Sequence, residues 1–440
     1  MNIIGTSASV ICINPDCAVN NNNDWPVHNL EAKNVKSEGF SCPCNVTSAW
    51  NLGWKSKNGN IYFLRGHIGK GGGGSIYKAY KYNLTDKRFE EGYAIKILRD
   101  NSNNLEESRK QLDREIEGLQ QAYNAGARVP KYIDHYYPDA QNTNEQHSYF
   151  FLVQEFIEGD NLEKILQQEQ QKITIGNPTL LFEERRVFNY LIEMLKDLHL
   201  LYRNQVLHRD IKPLNIICRK VKTNSQDEHE QNLQLYLVDF GSSKLVPIKN
   251  PYFTINYSST ILYAPPETLS SKLQLSKEDR YCYELLMNFF YDNKQLETFM
   301  WTRDLYSLAV TMFSLLIKSP SKLHSCYRWN PSDNEWNKWM LEIEKKAPNI
   351  YPILEKMSRF FPNKRYKTAI EALLDASTEA WYAYGDNIWL LSNDFLRAIK
   401  SDPELPQKLT NKQNKFIQQS QKEHKKQRRE EISRDYENTN

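Results

Sequence analysis

Two short apolar runs, each ending on carboxylate-bearing residues, constrain this chain more than anything else in it. The first, VLHRDIKPLNII, places Asp210, Lys212 and Asn215 within six residues, flanked by strand-like neighbours. The second, LYLVDFGSS, supplies Asp239, 24 residues after Asn215. A carboxylate can accept a hydroxyl proton, and a lysine can neutralise a transferring phosphoryl group. Amide and carboxylate oxygens suit a hard cation such as Mg²⁺. Two apolar strands that both end this way are rarely accidental.

Length and composition set the bounds around those runs. The 440 residues allow two or three domains, and 40% hydrophobic content supports at least one large core. A net charge of +3 gives no whole-chain reason to expect nucleic acid or membrane as a partner. No run approaches the length of a transmembrane helix. The first basic residue is Lys33, so the start lacks the positive region of a secretory signal. Seven cysteines, an odd number, fit a reducing cytoplasm better than a disulfide framework.

From about Asn60 the chain reads as a small sheet. NIYFLRGHIGKGGGGSIYKAYKYN is two strand-like runs around a glycine turn, and EGYAIKILRD is a third. NLEESRKQLDREIEGLQQAYNAG has helical spacing with Gly126 as its stop, and SYFFLVQEFIEG is another strand. Beyond Gly159 the pattern turns helical. RDLYSLAVTMFSLLI is apolar nearly all round, the mark of a buried helix. The layout is α+β, with a small β-rich lobe followed by a larger helical one.

Two further features support the chemistry. The glycines Gly69 to Gly74 lie between two strands, where backbone N–H groups can cover phosphates from above; a loose hairpin would look the same. Lys96 follows on the next strand and Glu115 on the next helix, so a buried pair could hold the ammonium against phosphate oxygens.

With those residues assembled, the chain resembles the protein-kinase catalytic domain over about residues 60–375. The resemblance implies a bilobal fold, with a small lobe over 60–159 and a large one over 160–375. It implies that Gly69, Gly71 and Gly74 form the phosphate-covering loop, with Ile76 beside them, and that Lys96 pairs with Glu115. LVQEFIEG resembles the hinge, with Gln154 as gatekeeper and Glu155 to Ile157 offering backbone groups to adenine. Ile68, Ile76, Ala94 and Ile217 would enclose the base. Asp210 matches the catalytic base, Lys212 the phosphate contact, and Asn215 and Asp239 the Mg²⁺ ligands. TILYAPPE, with Thr260 and Glu267, resembles the substrate-positioning loop; Asp304 matches the anchor of the catalytic loop, and Arg365 the partner of Glu267.

Lys212 within HRDIKPLN is similar to serine/threonine kinases, not tyrosine kinases. APPE and the upstream CINPDC narrow the likeness to bacterial eukaryotic-like kinases of the cyanobacterial type. The implied activity is transfer of the γ-phosphoryl group of Mg–ATP to a protein hydroxyl. A pseudokinase scaffold would be expected to lack Lys96, Asp210 or Asp239, and all three are present. A small-molecule phosphotransferase would have no use for a peptide-positioning loop.

The chain departs from the pattern in two places. Glu267 and Asp304 are 37 residues apart, longer than the family needs, so 272–301 reads as an insertion that either packs on the large lobe or meets a partner. At the start, Cys12, Cys17, Cys42 and Cys44 suggest a zinc ribbon over 1–55, with His28 as a substitute ligand, although Cys42-Pro43-Cys44 is tight for chelation. Cys218, Cys282 and Cys326 read as core residues. The stretch over 376–440 reads as a helical, basic tail. Its run Lys408–Arg429 holds eight Lys or Arg against one Glu and could touch nucleic acid or an acidic partner, but it lacks interleaved aromatics apart from Phe416, so a solvated helix or mobile tail is expected there. Arg209, directly before Asp210, suggests control by a loop phosphate at Thr254, Ser258 or Ser259.

Overall fold

The structure is a computed structural model that describes residues 3–5, 7–13, 27–35, 52–71, 74–98, 105–138, 149–172, 182–220, 233–246, 263–268, 300–316 and 334–439. The chain divides into two compact units. The first comprises 1–124, 129–158 and 238–241; the second comprises 125–128, 159–237 and 242–440. The sheet-rich first unit and helical second unit are the two lobes of the expected α+β fold. No described helix is long and apolar enough to cross a membrane.

The first unit is built on an antiparallel sheet. Strands β4 (Gly53–Lys55), β5 (Ile61–Gly71), β6 (Gly74–Asn83) and β7 (Arg88–Leu98) follow one another, and β9 (Phe151–Glu155) and β8 (Tyr132–Tyr136) complete the order. Ile61, Tyr62, Phe63 and Leu64 are all buried, so β5 is covered on both faces. The cover on one side comes from residues that the sequence did not mark as strands. β1 (Ile3–Gly5) pairs with β7, setting Ile3 opposite Glu90. β2 (Ser7–Ile11) and β3 (Val27–Glu31) form a hairpin. Val10, Leu30 and Ala32 share one core with Phe63, Tyr82 and Phe89. The Tyr82 hydroxyl closes the contact by donating to the Ala32 carbonyl at 2.7 Å. The described part of 1–55 is therefore continuous with the core of the sheet that follows it.

Gly74 shows why the turn between β5 and β6 needs glycine. Its φ is +150°, and a Cβ there would lie 2.2 Å from the carbonyl oxygen of Ile97. Helix α1 (Leu105–Asn124) runs where its periodicity predicts and buries Leu112, Glu115, Ile116 and Leu119 along one face. Gly126, at φ +83°, follows it in the left-handed conformation of a helix stop.

The second unit is mainly helical. A short strand β10 (Asp160–Asn161) leads into α2 (Leu162–Lys172), and α3 (Glu184–Arg203) follows. β11 (Val206–Leu207) pairs with β14 (Lys244–Leu245), while β12 (Ile216–Lys220) lies between β10 and β13 (Leu233–Leu237). In α4 (Thr302–Leu316) every residue is buried, as an all-round apolar pattern requires. Helices α5 (Asn334–Lys346) and α6 (Tyr351–Met357) precede α7 (Ala369–Tyr384). Thr368 caps α7 by accepting the Glu371 N–H, and Gly385 ends it at φ +74°.

The stretch read as a tail begins inside α7 and is packed on it. α8 (Asn393–Ser401) and α9 (Asn411–Thr439) follow, and Phe416 of α9 is fully buried, its ring 5.9 Å from that of Trp381. Of the expected insertion over 272–301, only Met300 and Trp301 are described, and the Trp301 ring stands edge-on to Tyr202 at 4.4 Å.

Candidate active site

In the first unit three charged side chains converge. Lys96 on β7 donates to Glu115 Oε1 and to Asp239 Oδ1, both at 2.6 Å. Lys96 and Glu115 are 4% and 2% exposed at the side chain, while Asp239 keeps 30%. Burial alone would lower the ammonium, but Asp239 and Glu115 outweigh it and hold Lys96 above its ordinary range. Burial, then the nearby charge of Asp239, pushes Glu115 up against the pull of Lys96. Glu115 Oε2 is buried without a hydrogen-bond partner among the described residues.

The backbone at this triad is special. Asp239 sits at φ +66°, a conformation that costs a non-glycine residue energy and is found at functional sites. A Cβ on Gly241 would lie 3.0 Å from Lys96 Nζ and 3.2 Å from both Asp239 Oδ1 and Glu115 Oε2. A larger residue at this position would have to displace the charged groups by a few tenths of an ångström. Sequence reasoning missed this residue, because a glycine after Phe240 reads as an ordinary turn until the surrounding carboxylates are known.

Around the same sheet lie the residues expected to enclose a base. Ala94, opposite Gln154 in the β7–β9 register, is buried, Ile76 is half-buried, and Ile68 is 46% exposed. The Glu155 N–H donates to the Lys131 carbonyl, and the Phe156 N–H to that of Gly92, both at 2.8 Å. Of the three hinge N–H groups, only that of Ile157 has no partner among the described residues. Gly69 and Gly71 lie on β5, with Gly69 opposite Ile76; Gly72 and Gly73 lie outside the described residues.

In the second unit the turn after β11 carries the other group. Lys212 Nζ donates to Asp210 Oδ2 at 2.7 Å, and Asn215 Nδ2 donates to the same oxygen at 3.1 Å. Asn215 Nδ2 also donates to the Asp210 carbonyl at 2.8 Å, which turns its amide oxygen away from that contact. Ile217, the last expected wall of the base site, follows half-buried on β12. Beneath the turn, Asp304 accepts the backbone N–H groups of His208 and Arg209, each at 2.8 Å. The Asp210 N–H donates to His208 Nδ1 at 3.3 Å, so that ring nitrogen carries no proton.

The same unit holds the bidentate pair expected from the sequence. Arg365 Nη1 and Nη2 meet Glu267 Oε1 and Oε2 at 2.7 and 2.9 Å, both side chains fully buried. Three cations also lie close together. The Arg209 Nε donates to the Ser242 carbonyl, and burial, then the charges of Arg209 and Arg303, hold Lys244 below its ordinary value. Lys244 and Arg303 escaped the sequence reading, since neither is near Arg209 in sequence.

The donors available for a metal are hard oxygens, Asn215 Oδ1 in the second unit and the Asp239 carboxylate in the first. That chemistry fits Mg²⁺. The zinc expectation finds no support. Cys12 is buried in the apolar core with Val10 and Leu30, His28 is half-buried on β3, and Cys17, Cys42 and Cys44 lie outside the described residues. Among the described residues no group of three His, Cys, Asp or Glu is placed to hold a metal. Burial pushes the Cys218 thiol up to about 12, as a core cysteine requires. Cys282, Cys326, Thr254, Ser258, Ser259 and Thr260 also lie outside the described residues.

Comparison with known families decides the classification: residues 62–375 match the protein kinase domain. The chain belongs to the protein kinase family. Several of its relatives are bacterial. The kinase is 29% identical to serine/threonine-protein kinase F of Synechocystis sp. over 319 residues, 70% of this chain and 52% of that protein. It is 26% identical to serine/threonine-protein kinase B of the same organism, over 80% of this chain and 52% of the relative. With serine/threonine-protein kinase PknA of Nostoc sp. the identity is 23%, over 71% of this chain and 46% of the relative. The kinase thus spans about half the length of the curated relatives it matches. These relatives support the cyanobacterial, eukaryotic-like type; they do not extend that support to the cysteine motif.

Proposed function

We propose that this kinase transfers the γ-phosphoryl group of Mg–ATP to serine or threonine hydroxyls of a protein, in a signalling role in the cytoplasm. The observation that carries the reading is Lys212 Nζ at 2.7 Å from Asp210 Oδ2. A lysine so close to the carboxylate sits where it can meet both the acceptor oxygen and the incoming phosphoryl group, the arrangement expected of a serine/threonine kinase loop. The names of the Synechocystis and Nostoc relatives support the same substrate class.

In this reading the roles divide between the units. Asp210 orients the acceptor hydroxyl and accepts its proton as the new P–O bond forms. Lys212 offsets charge on the moving phosphoryl group. Lys96, held by Glu115, binds the nucleotide phosphates, and Gly69, Gly71 and Gly74 bring backbone N–H groups to them. Ile157 offers its N–H to adenine, with Ile68, Ile76 and Ala94 as the apolar contacts proposed from the first unit and Ile217 as the one proposed from the second. Asn215 and Asp239 would hold Mg²⁺, which neutralises phosphate charge when bound. Gln154 and the Glu155 backbone border the base site. Most of the rate acceleration in such a site comes from positioning and charge compensation.

The test is incubation of purified protein with labelled ATP and a generic protein substrate, followed by phosphoamino-acid analysis. Phosphoserine or phosphothreonine is expected, and Lys96→Met and Asp239→Asn each lower turnover by roughly 10²–10³ while remaining folded. Label on tyrosine alone, or a folded variant keeping more than about a tenth of the rate, would contradict these roles.

A further inference from the structure

Helix α9 has two faces of different character. One face is fixed to the body of the second unit. Phe416 and Ser420 are fully buried, Lys412 pairs with Glu379 at 2.5 Å, Gln413 donates to Asp375 at 2.5 Å, and His424 Nε2 lies 2.8 Å from the Leu391 carbonyl. Positions 412, 416, 420 and 424 recur every four residues with 413 beside them, so they form one stripe. On the opposite side, Lys415, Lys422, Lys425, Lys426 and Arg429 form a second stripe, and all five are exposed. It runs about 21 Å at ~1.5 Å rise per residue.

Two observations bear on this stripe. Several cations elsewhere in this kinase have a carboxylate one turn away: Lys110 has Glu106, Lys346 has Glu342, Arg359 has Glu355 and Lys408 has Glu404. Arg114, Lys345 and Lys400 have none among the described residues, but they stand singly and not in a row. On the stripe Lys426 is paired only loosely, with Glu430 at 3.9 Å. Among the described residues no carboxylate pairs with Lys415, Lys422 or Lys425. Glu423 lies toward the docked side of the helix, and Glu430, one turn beyond Lys426, is the one acid that borders the stripe among the described residues. The docked face also fixes which way the stripe points, so the cations are presented together without first ordering a tail.

We infer that this stripe is a docking surface for an acidic, Asp/Glu-rich segment of a partner protein. The neighbours on the face are Asn414 and Gln418, whose amides can hydrogen-bond a peptide backbone while the cations meet carboxylates. A membrane surface fits less well, because the stripe itself carries no apolar residue and Phe416 is already buried against the body. Nucleic acid fits less well because no aromatic stands on the face to stack a base, and four of the five cations are lysines, which lack the guanidinium fork. If the kinase reading holds, an acidic segment linked to the acceptor serine or threonine raises its local concentration at the enzyme.

The experiment is fluorescence anisotropy of the full chain with a labelled Asp/Glu peptide of about ten residues, which extended spans ~33 Å. A single-stranded RNA, a DNA duplex and phosphatidylserine vesicles are measured in parallel. The comparison protein carries Lys415→Gln, Lys422→Gln, Lys425→Gln, Lys426→Gln and Arg429→Gln, all exposed, with thermal melting as the folding control. The wild type is expected to bind the peptide, more weakly as salt rises, and the variant to lose about tenfold or more. In a kinase assay, an acceptor peptide carrying the acidic segment should show a raised KM with the variant at unchanged kcat, and an acceptor without it should not distinguish the two proteins. Absence of peptide binding, binding that survives in the folded variant, or tighter binding of nucleic acid or vesicles each overturns the inference. The binding arm needs no phosphoryl transfer, so failure of the kinase reading would be recognised separately.

Discussion

Asp304 holds Arg209 by its backbone N–H at 2.8 Å, and Arg209 sits at φ +69° directly before Asp210. The left-handed conformation is unfavourable for arginine, and the buried carboxylate is what stabilises it. A second bond, from the His208 N–H at 2.8 Å, fixes the preceding residue as well. The direction in which Asp210 leaves the turn therefore depends on a side chain 94 positions further along the chain.

Asp304→Asn replaces one of those two acceptors with an N–H donor facing a backbone N–H. Breaking a buried, charge-assisted bond of this kind costs about 1.5–3 kcal/mol. The expected result is a lower melting temperature and a kcat reduced by roughly ten- to a hundredfold, with KM for ATP little changed. Steady-state kinetics with a melting curve checks it. A folded variant with wild-type kcat would show that the loop orders without Asp304.

Gly241→Ala tests the packing of the Lys96 triad. The added Cβ meets Lys96 Nζ at 3.0 Å and two carboxylate oxygens at 3.2 Å, so the charges must separate. Nucleotide binding should weaken, seen as a higher KM for ATP and a smaller thermal shift with nucleotide. Global stability should change by about 1 kcal/mol or less, since Asp239 is partly exposed and can move. Unaltered nucleotide binding in this variant would mean that the triad tolerates displacement.

What the sequence made legible, and what it hid, follows physical lines. Lys96 and Glu115 were legible because each lies on a strongly patterned strand or helix, and Asp239 because it follows directly on one. Asp304 was legible because it opens a helix that is apolar all round. β1 to β3 were hidden, since strands of three and five residues among polar neighbours carry too little periodicity to read. The docking of α9 was hidden for a similar reason: one buried aromatic, Phe416, anchors a helix whose composition is mostly polar. Arg128 was hidden because its partners come from another element. Its side chain pairs with Glu193 and with Asp197 at 3.3 Å, and its N–H donates to Asp197 at 3.1 Å. Two acids one turn apart on α3 were the only hint.

His199 on α3 sets an acid-stability prediction. Burial, with a smaller contribution from the charge of Arg203, lowers its pKa from 6.5 to about 4, and its Nδ1 is buried without a hydrogen-bond partner among the described residues. Between pH 6.5 and about 4 the unfolded chain takes up a proton that folded His199 refuses. Stability from this residue is thus complete above pH 6.5 and declines as pH falls toward 4, by up to about 3 kcal/mol. His199→Leu should flatten that part of the melting-temperature profile. An identical slope in wild type and variant between pH 6.5 and 4 would remove His199 as its source.

Arg209, Lys244 and Arg303 lead to the last prediction. Burial and the charges of the two arginines depress Lys244, so each arginine repels the lysine. A phosphate carries nearly two negative charges at neutral pH and would turn that repulsion into charge-assisted pairs. The candidate acceptor hydroxyls are Thr254, Ser258 and Ser259, between the Lys244 strand and Glu267 in sequence. After incubation with Mg–ATP, mass spectrometry is expected to find phosphate on at least one of them. A Thr254, Ser258 and Ser259 triple-alanine variant should lose about tenfold in kcat. Lys244→Gln should reduce the gain that phosphorylation gives to the wild type while leaving the unphosphorylated rate nearly unchanged. An unmodified loop together with an undiminished rate in the triple variant would defeat the idea. Phosphorylation without any change in rate would assign the three cations to holding the Ser242 and Ser243 backbone, where Arg209 already donates, and not to regulation.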